Sequence, residues 1–538
     1  ILNLKEFKQV GRIITAVVAA ASLASLYGLI QYFGLDPFSW SESANVGRIF
    51  STFGQPNFFG HYLILVLPLG FYVLFFTAKR FLARFFIGLA VLTQLFCLIL
   101  TYSRAAWLGF FGSMIFLLMT WLVSKRRKKT VLGLFGLLLI GLITVIGLNM
   151  FKPVSRTYLN DTNIISRFKS LADFNGGSGK MRFYYLASAA KEIKKENYFR
   201  LLVGYGPETL TDIFVKYYKT DWGVYEAINA YPDRAHNWLF DQILALGVFG
   251  LTANLAFYVF FIYKAAVFLP AKRKFGPDGW LLVFLFSSLA AYFINNLFSF
   301  SLFTNYVYLF LILAMAWLII NYREKEKEIN TKLTNFSKWL IWILLLTVLA
   351  VFIHTNNINQ VGAEIYYVKA LKSLKLSDCQ GMMDNMKKTL SLSPKSGYYQ
   401  ENDLFLTLNC FSSIKDRAVR ERLLYRMLES VESTDDNETY GVRQNIARAY
   451  TLFGFYFNKA YYEKAEKIFN ELIAVSPYLT TAYEDLNKQK IWQEDYPGAI
   501  NIYKRELEIL PSTDNPYLND PHRARVASIT AQIYEGLG

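Results

Sequence analysis

The chain has 538 residues, of which 54 % are hydrophobic, 17 % aromatic and only 18 % charged, with a mean hydropathy of +0.24. A soluble protein carries about 25 % charge, so this composition points to a polytopic membrane protein and excludes a disordered chain, a collagen or a small disulfide scaffold. The net charge of +16 combines +18 from residues 1–354, with 35 Lys/Arg against 17 Asp/Glu, and −2 from residues 355–538, with 22 against 24.

The basic excess follows the apolar part. It reads as membrane topology, and no soluble basic face remains to hold nucleic acid. Cys97, Cys379 and Cys410 show no CxxC spacing, which excludes a zinc or redox motif of that kind. Only Cys379 and Cys410 lie outside apolar stretches, so at most one intrachain disulfide is expected. The chain opens at Ile1 without a signal peptide and reads as a piece lacking its natural N-terminus. With a cytoplasmic start, the missing part would hold an even number of helices.

Apolar runs of roughly 17–25 residues can cross the ~30 Å hydrocarbon core as helices. Nine such runs are expected, at about 10–33, 58–77, 82–102, 104–123, 131–150, 237–263, 280–298, 302–321 and 338–354. Alternate short connections carry nearly all the Lys and Arg. These are Lys5, Lys8 and Arg12; Lys79, Arg80 and Arg84; Lys125 to Lys129; Lys264 and Lys272 to Lys274; and Arg323 to Lys338. The opposite short connections hold only Arg48 and Arg104. By the positive-inside rule the first set is cytoplasmic. Residues 34–57, the loop 151–236 and everything after about 355 then lie outside.

Residues 1–354 are therefore expected to form a transmembrane region, and 355–538 a polar, helical, extracytoplasmic domain. Near its end this domain has a period of 34: Ala465 and Ala499, Phe469 and Tyr503, Pro477 and Pro511, with a weaker copy ending at Pro394. The spacing fits the A-x3-F…P part of the tetratricopeptide pattern, in which paired helices stack through small-to-large contacts. An unrelated helical domain is the alternative.

Polar groups gather on the outer face. Arg48 lies in GRIFSTFGQPNFFG, Arg104 in TYSRAAWLG, and Arg234 and His236 in YPDRAHNWLFDQILALGVFG. Arginine near hydrocarbon is costly, and snorkelling to lipid phosphates is the plain reading of each one alone. A planar guanidinium also donates two parallel hydrogen bonds to a phosphate and stays charged. Histidine titrates near neutrality and can take a proton from a hydroxyl. Arginines beside one histidine are what glycosyl transfer from a lipid diphosphate needs: cations for the leaving group, a base for the acceptor.

The plain alternative for His236 is a histidine capping the helix that follows. His61 reads as a packing residue, and His354 and His522 as structural. No DxD pair lies on the outer face, and Asp161-Thr162-Asn163 is a weak substitute, so no metal or other cofactor is expected. No Walker A, GxGxxG or HExxH motif occurs. In the outer loop, residues 181–200 read as an amphipathic helix lying at the membrane surface, from which Arg182 would reach either the same phosphates or lipid headgroups. GYGPETL (204–210) reads as a turn before a helix starting at Pro207.

Four ordered pieces carry a resemblance: GRIFSTFGQPNFFGHYLILVLPL, LILTYSRAAWLGF, RFYYLASAAKEIKKENYFRLLVGYGPETL and DRAHNWLFDQILALGVFGL, with Leu246-Gly247 and Gly250 in the last. Over about residues 10–320 the chain resembles the O-antigen ligase and polymerase superfamily of bacterial membrane glycosyltransferases. The resemblance implies an all-α, glycosyltransferase C-like membrane fold in the cytoplasmic (inner) membrane. It implies transfer of a glycan from undecaprenyl diphosphate to a glycan, lipid or protein acceptor without metal or nucleotide. The family's essential histidine falls on His236, and its arginines on Arg48, Arg104 and Arg182, with Arg234 adjoining. One departure is ENYFRLLVGYG, where members often have Pro before the Gly turn.

The expected function is ligase-type transfer, with the C-terminal domain holding the acceptor or a protein partner. A repeat-unit polymerase and a protein O-oligosaccharyltransferase share the donor site. A polyprenyl-glycan transporter and a membrane-anchored repeat scaffold are the readings from other classes. A transporter would need charges at mid-membrane, and Asp241, near a helix end, is the only acidic candidate.

Overall fold

The structure, a computed structural model, describes residues 7–38, 48–124, 177–195, 198–207, 209–225, 228–269, 276–321, 335–434, 439–510, 526–529 and 531. The expected span at 131–150, the basic cluster Lys125 to Lys129, Asp161, Pro511 and His522 lie outside the described residues. Among the described residues every regular element is helical. They divide into two compact units, one within 1–211 and 232–327, the other within 212–231 and 328–538.

The first unit holds α1 (Phe7–Tyr32), α2 (Pro56–Tyr72, extended by a π turn over Val73–Thr77), α3 (Phe81–Leu100) and α4 (Arg104–Ser124). It continues with α5 (Gly177–Lys195), α6 (Tyr198–Val203) and α7 (Leu210–Val215), whose last residues pass into the second unit. Then come α8 (Trp238–Phe268), α9 (Pro277–Asn296) and α10 (Phe303–Asn321). Among the described residues seven helices, α1 to α4 and α8 to α10, are long and apolar enough to cross a membrane, and the protein is a multi-pass membrane protein.

Burial separates core from lipid-facing helices. α2 is buried along nearly its whole length, with α9 and α4 packed around it. On α3, Phe81, Leu82, Phe85, Phe86, Leu89 and Leu92 are exposed, as a lipid-facing surface requires where no water is available to satisfy polar groups. Close approach of α4 to α9 depends on Gly109: a Cβ there would stand 2.7 Å from the Ala291 carbonyl oxygen and 2.9 Å from Ile64. Small residues at such crossings let membrane helices pack backbone to backbone.

The surface segment 181–200 is not one helix. α5 starts earlier, at Gly177, and stops at Lys195, and Tyr198 opens the short α6, which packs against α8. The helix expected at Pro207 begins at Leu210 instead. Gly204 and Gly206 both adopt positive φ, so the chain is still turning there.

Beyond residue 328 the second unit holds first α11 (Asn335–Ile353), over the last expected span, whose side chains from Trp342 to Val351 are exposed and, Thr347 apart, apolar. Helical hairpins follow: α12 (Asn359–Lys375) with α13 (Cys379–Leu392), α14 (Gly397–Ser413) with α15 (Arg417–Thr434), α16 (Tyr440–Tyr456) with α17 (Ala460–Val475), and α18 (Thr480–Trp492) with α19 (Tyr496–Ile509). Asp378, Ser396 and Asp495 cap three of these helices through their side-chain oxygens. The residues of the 34-residue period, Ala465, Ala499, Phe469 and Tyr503, are all buried. Pro394 and Pro477 each follow a helix end. Cys379 and Cys410 form a disulfide between α13 and α14.

Candidate functional site

The residues of interest sit at one end of the first unit's bundle, where α3 ends, where α2, α4, α8 and α10 begin, and where α9 ends. The loop carrying Arg48 is fastened there by ordinary hydrogen bonds. Gln31 Oε1 on α1 accepts from the backbone N–H of Ser51 (2.7 Å) and of Phe50 (3.3 Å), and Ser51 Oγ donates to the Ala24 carbonyl at 2.7 Å. Arg48 is then oriented across the turn between α3 and α4. Its Nε donates to the Thr101 carbonyl at 2.9 Å and its Nη2 to Asn57 Oδ1 at 3.0 Å.

That same turn delivers Arg104 as the first residue of α4. Tyr102 holds a left-handed backbone, φ 50°, and Trp107 Nε1 ties back to the Leu98 carbonyl at 2.9 Å. Arg48 and Arg104, far apart in sequence from the loop residues, therefore converge through Thr101.

Arg182 comes from α5. Burial first, and then the charge of Arg104, push its guanidinium down to about 10, so it remains charged at neutral pH. It also acts on His236. His236 lies just ahead of α8 with φ 54°, a conformation that costs a non-glycine residue of order 1–3 kcal/mol and persists only where its surroundings enforce it. The enforcement is visible. Asn237 caps α8, its Oδ1 accepting from Leu239 N (3.0 Å) and Phe240 N (3.3 Å), while its Nδ2 donates to the Leu297 carbonyl at 2.9 Å. Asp241, buried in the first turn, accepts from Ala235 N at 2.7 Å.

Two rings bracket the imidazole: Tyr185 of α5, stacked at 5.8 Å between centroids, and Phe300 of the α9–α10 loop at 5.3 Å. Phe300 also lies under Arg234, whose Cζ is 5.1 Å from the ring centroid, a cation–π contact. Arg234 is 3.8 Å from Asp233. Burial lowers the His236 pKa to about 4. The Arg182 charge adds to this, Asp233 opposes it, and Arg234 adds a smaller push. The ring is thus neutral at pH 7 and able to accept a proton.

Of the residues singled out in the sequence, Arg104, Arg182, Arg234 and His236 share one electrostatic environment, and Arg48 joins the turn that carries Arg104. His61 is buried in the core of α2, its ring 5.3 Å from Tyr292 and its imidazole facing the Phe300 backbone. His354 is exposed in the π turn after α11. Tyr185 and Phe300 were not singled out, because nothing distinguishes one aromatic among the 46 Phe and 36 Tyr of this chain.

The two glycine motifs meet. Tyr205 N donates to the Leu244 carbonyl at 2.8 Å and Gly206 N to the Ala245 carbonyl at 2.9 Å. Gly247, φ 66°, breaks the helical dihedrals inside α8 at this point. A Cβ on Gly247 would fall 2.2 Å from the Leu202 carbonyl oxygen, and one on Gly204 would fall 2.5 Å from the Ala245 backbone. The loop after α5 is therefore seated in the kink of α8, ten residues beyond Asn237.

Residues 89–255 match the O-antigen ligase family. The matched stretch contains Arg104, Arg182, Arg234, His236 and both glycine turns, while Arg48 and Phe300 lie outside it. No curated protein and no solved structure matches the chain. The match supports a glycan function of the ligase and polymerase type.

Proposed function

We propose that this protein is an inverting O-antigen ligase-type glycosyltransferase, moving a glycan from undecaprenyl diphosphate to an acceptor hydroxyl on the outer face of the bacterial cytoplasmic membrane. The observation that carries this is His236 held between Tyr185 and Phe300, within the electrostatic reach of the Arg182 and Arg234 guanidiniums, with Arg104 acting in turn on Arg182.

In this reading the acceptor oxygen attacks the anomeric carbon and its proton passes to His236. The bond from the anomeric carbon to the diphosphate oxygen breaks, and the leaving diphosphate carries the electron pair away. Arg48, Arg104, Arg182 and Arg234 hold that diphosphate and stabilise the charge growing on it, work that otherwise falls to a divalent metal. No metal is assigned. The left-handed backbones at Tyr102 and His236, at this same end of the bundle, support a site whose geometry is enforced at an energetic cost.

The charge asymmetry of the loops supports an outward-facing site. The Cys379–Cys410 disulfide supports an extracytoplasmic second unit, because such bonds persist in oxidising compartments. We assign the paired helices after residue 355 to a tetratricopeptide-like domain that serves the acceptor or a protein partner.

The test is reconstitution of the full-length protein with lipid-linked glycan from its own host in the presence of EDTA, following release of undecaprenyl diphosphate for the wild type and His236→Ala. Release that survives EDTA and falls by about 10²–10⁴ in the variant is expected for loss of a general base. Unchanged release in His236→Ala would remove the base role. Loss of wild-type release in EDTA, restored by a divalent ion, would remove the metal-free mechanism.

A further inference from the structure

The loop between α9 and α10 carries Phe300, the ring that packs against both the His236 imidazole and the Arg234 guanidinium. The flanks of this loop are tied down on either side of Phe300. Ahead of it, the Leu297 carbonyl accepts from Asn237 Nδ2 at 2.9 Å and Phe298 N donates to the Asn295 carbonyl at 3.0 Å. Behind it, Ser301 Oγ donates to Tyr292 OH at 2.8 Å and Leu302 N to Asn305 Oδ1 at 3.0 Å.

Phe300 itself meets two side chains of α2 that stand one helical turn apart on the same face. Phe58 approaches it edge to face, with centroids 5.7 Å apart, and the His61 imidazole faces its backbone. All of these residues belong to the first unit.

His61 is only 1 % exposed, and its ring also leans on Tyr292, the residue that receives Ser301. Neither ring nitrogen makes a hydrogen bond to any other described residue. Burying an imidazole costs more than burying an apolar side chain of similar size unless it is hydrogen-bonded. A residue that only packed at this point of α2 would be apolar, as its neighbours Phe59, Leu63 and Ile64 are. The one polar group that His61 faces is the backbone of Phe300.

We propose that His61 is a positioning residue for the transfer reaction: its ring N–H holds the Phe300 carbonyl and, with Phe58, keeps the Phe300 ring against His236 and Arg234. This rests on the glycosyltransferase reading above. The core helix α2 thereby shapes the site from beneath. Loosening Phe300 uncovers one side of the His236 ring and releases Arg234 from its cation–π contact. The chemical step slows, while binding of the diphosphate, spread over four arginines, changes little.

The experiment uses the full-length protein with its lipid-linked donor. His61→Phe and His61→Leu remove the N–H and fill the space differently, and His61→Gln restores a side-chain N–H. Phe300→Leu and the double variant His61→Phe/Phe300→Leu test whether His61 acts through Phe300. The amount of folded protein, donor KM, kcat and the titration of His236 are measured together. The titration is followed by magnetic resonance of isotope-labelled histidine, which only four histidines in the chain make assignable.

His61→Phe should lower kcat about tenfold, the loss of one buried hydrogen bond at the site, with donor KM within about twofold. His236 should titrate above its wild-type value of about 4, because burial is the largest cause of that depression. His61→Gln should recover most of the rate, and the double variant should be no slower than Phe300→Leu alone. An unmoved His236 titration in the folded His61 variants would overturn the proposal, and so would a moved titration with unchanged kcat, or effects of the two positions that add. Failure of both His61→Phe and His61→Leu to fold would make His61 a residue of the core alone. A wild type that transfers no glycan would overturn the functional reading instead, and the His236 titration would still decide whether His61 holds Phe300.

Discussion

Replacing Arg182 with Gln should move the acid limb of the pH–rate profile upward by about one pH unit. In the folded protein His236 titrates at about 4, against an ordinary 6.5. That gap corresponds to about 3.4 kcal/mol in favour of the neutral ring. Burial is the largest cause and the Arg182 charge the second, so removing the charge should return part of it, on the order of one pH unit or about 1.4 kcal/mol. The limb in kcat/KM reports the free enzyme. It should lie near 4 in the wild type and near 5 in Arg182→Gln.

Two controls fix the sign. Asp233→Asn removes the group that opposes the depression and should move the limb down. Arg234→Gln should move it up by less than Arg182→Gln. A bound diphosphate neutralises the guanidiniums, so the limb in kcat should lie above that in kcat/KM. The assay is diphosphate release across pH 3.5–8, and the limb position is read from the shape of the profile, which a general loss of rate does not move. A wild-type limb at 6.5, or a limb that stays put or falls in Arg182→Gln, would refute the assignment of His236 as a base depressed by Arg182. The same depression links to stability. The unfolded chain binds the proton between about 4 and 6.5 and the folded site does not, so this contribution is complete above pH 6.5 and is lost as pH falls towards 4.

Gly247→Ala should destabilise the first unit by about 3 kcal/mol or more, because the new methyl meets the Leu202 carbonyl in a left-handed conformation. Thermal unfolding in detergent checks this, and Gly204→Ala in the same molecule should add little, since both break one contact. Reducing Cys379–Cys410, or replacing either with Ser, should cost the second unit roughly 3–4 kcal/mol for a sequence separation of 31, read as faster hydrogen exchange in α12 to α15. Arg48→Lys should weaken donor binding by tenfold or more, because a single ammonium cannot serve both the Thr101 carbonyl and Asn57 while presenting a fork to phosphate. An isothermal binding measurement with a diphosphate lipid tests it.

Much of the fold was legible in the sequence. The seven candidate spans fall on seven of the nine apolar runs, because a membrane-crossing helix needs only a local property, about 20 consecutive apolar residues. The unusual polar residues at this end of the bundle were legible for the same reason: an arginine beside hydrocarbon is conspicuous whatever it touches. The break after Lys195 and the late start of α7 were not legible. Local periodicity in 181–200 favours one helix, and the seating of Tyr205 and Gly206 against α8 overrides it.

The sequence by itself thus determined the membrane-spanning class, the helical tail and the glycines that must turn, and it nominated the arginines and the histidine of the proposed site. Only the tertiary structure decided that Arg48 is oriented by Thr101, that Tyr185 and Phe300 bracket His236, that Gly204 meets Gly247, and that residues 212–231 join the C-terminal helices. The physical reason is range. Hydropathy, charge and backbone preference act within a dozen residues and leave a mark in the sequence. A hydrogen bond such as that between Asn229 and Thr480, 251 residues apart, depends on packing that no local pattern records.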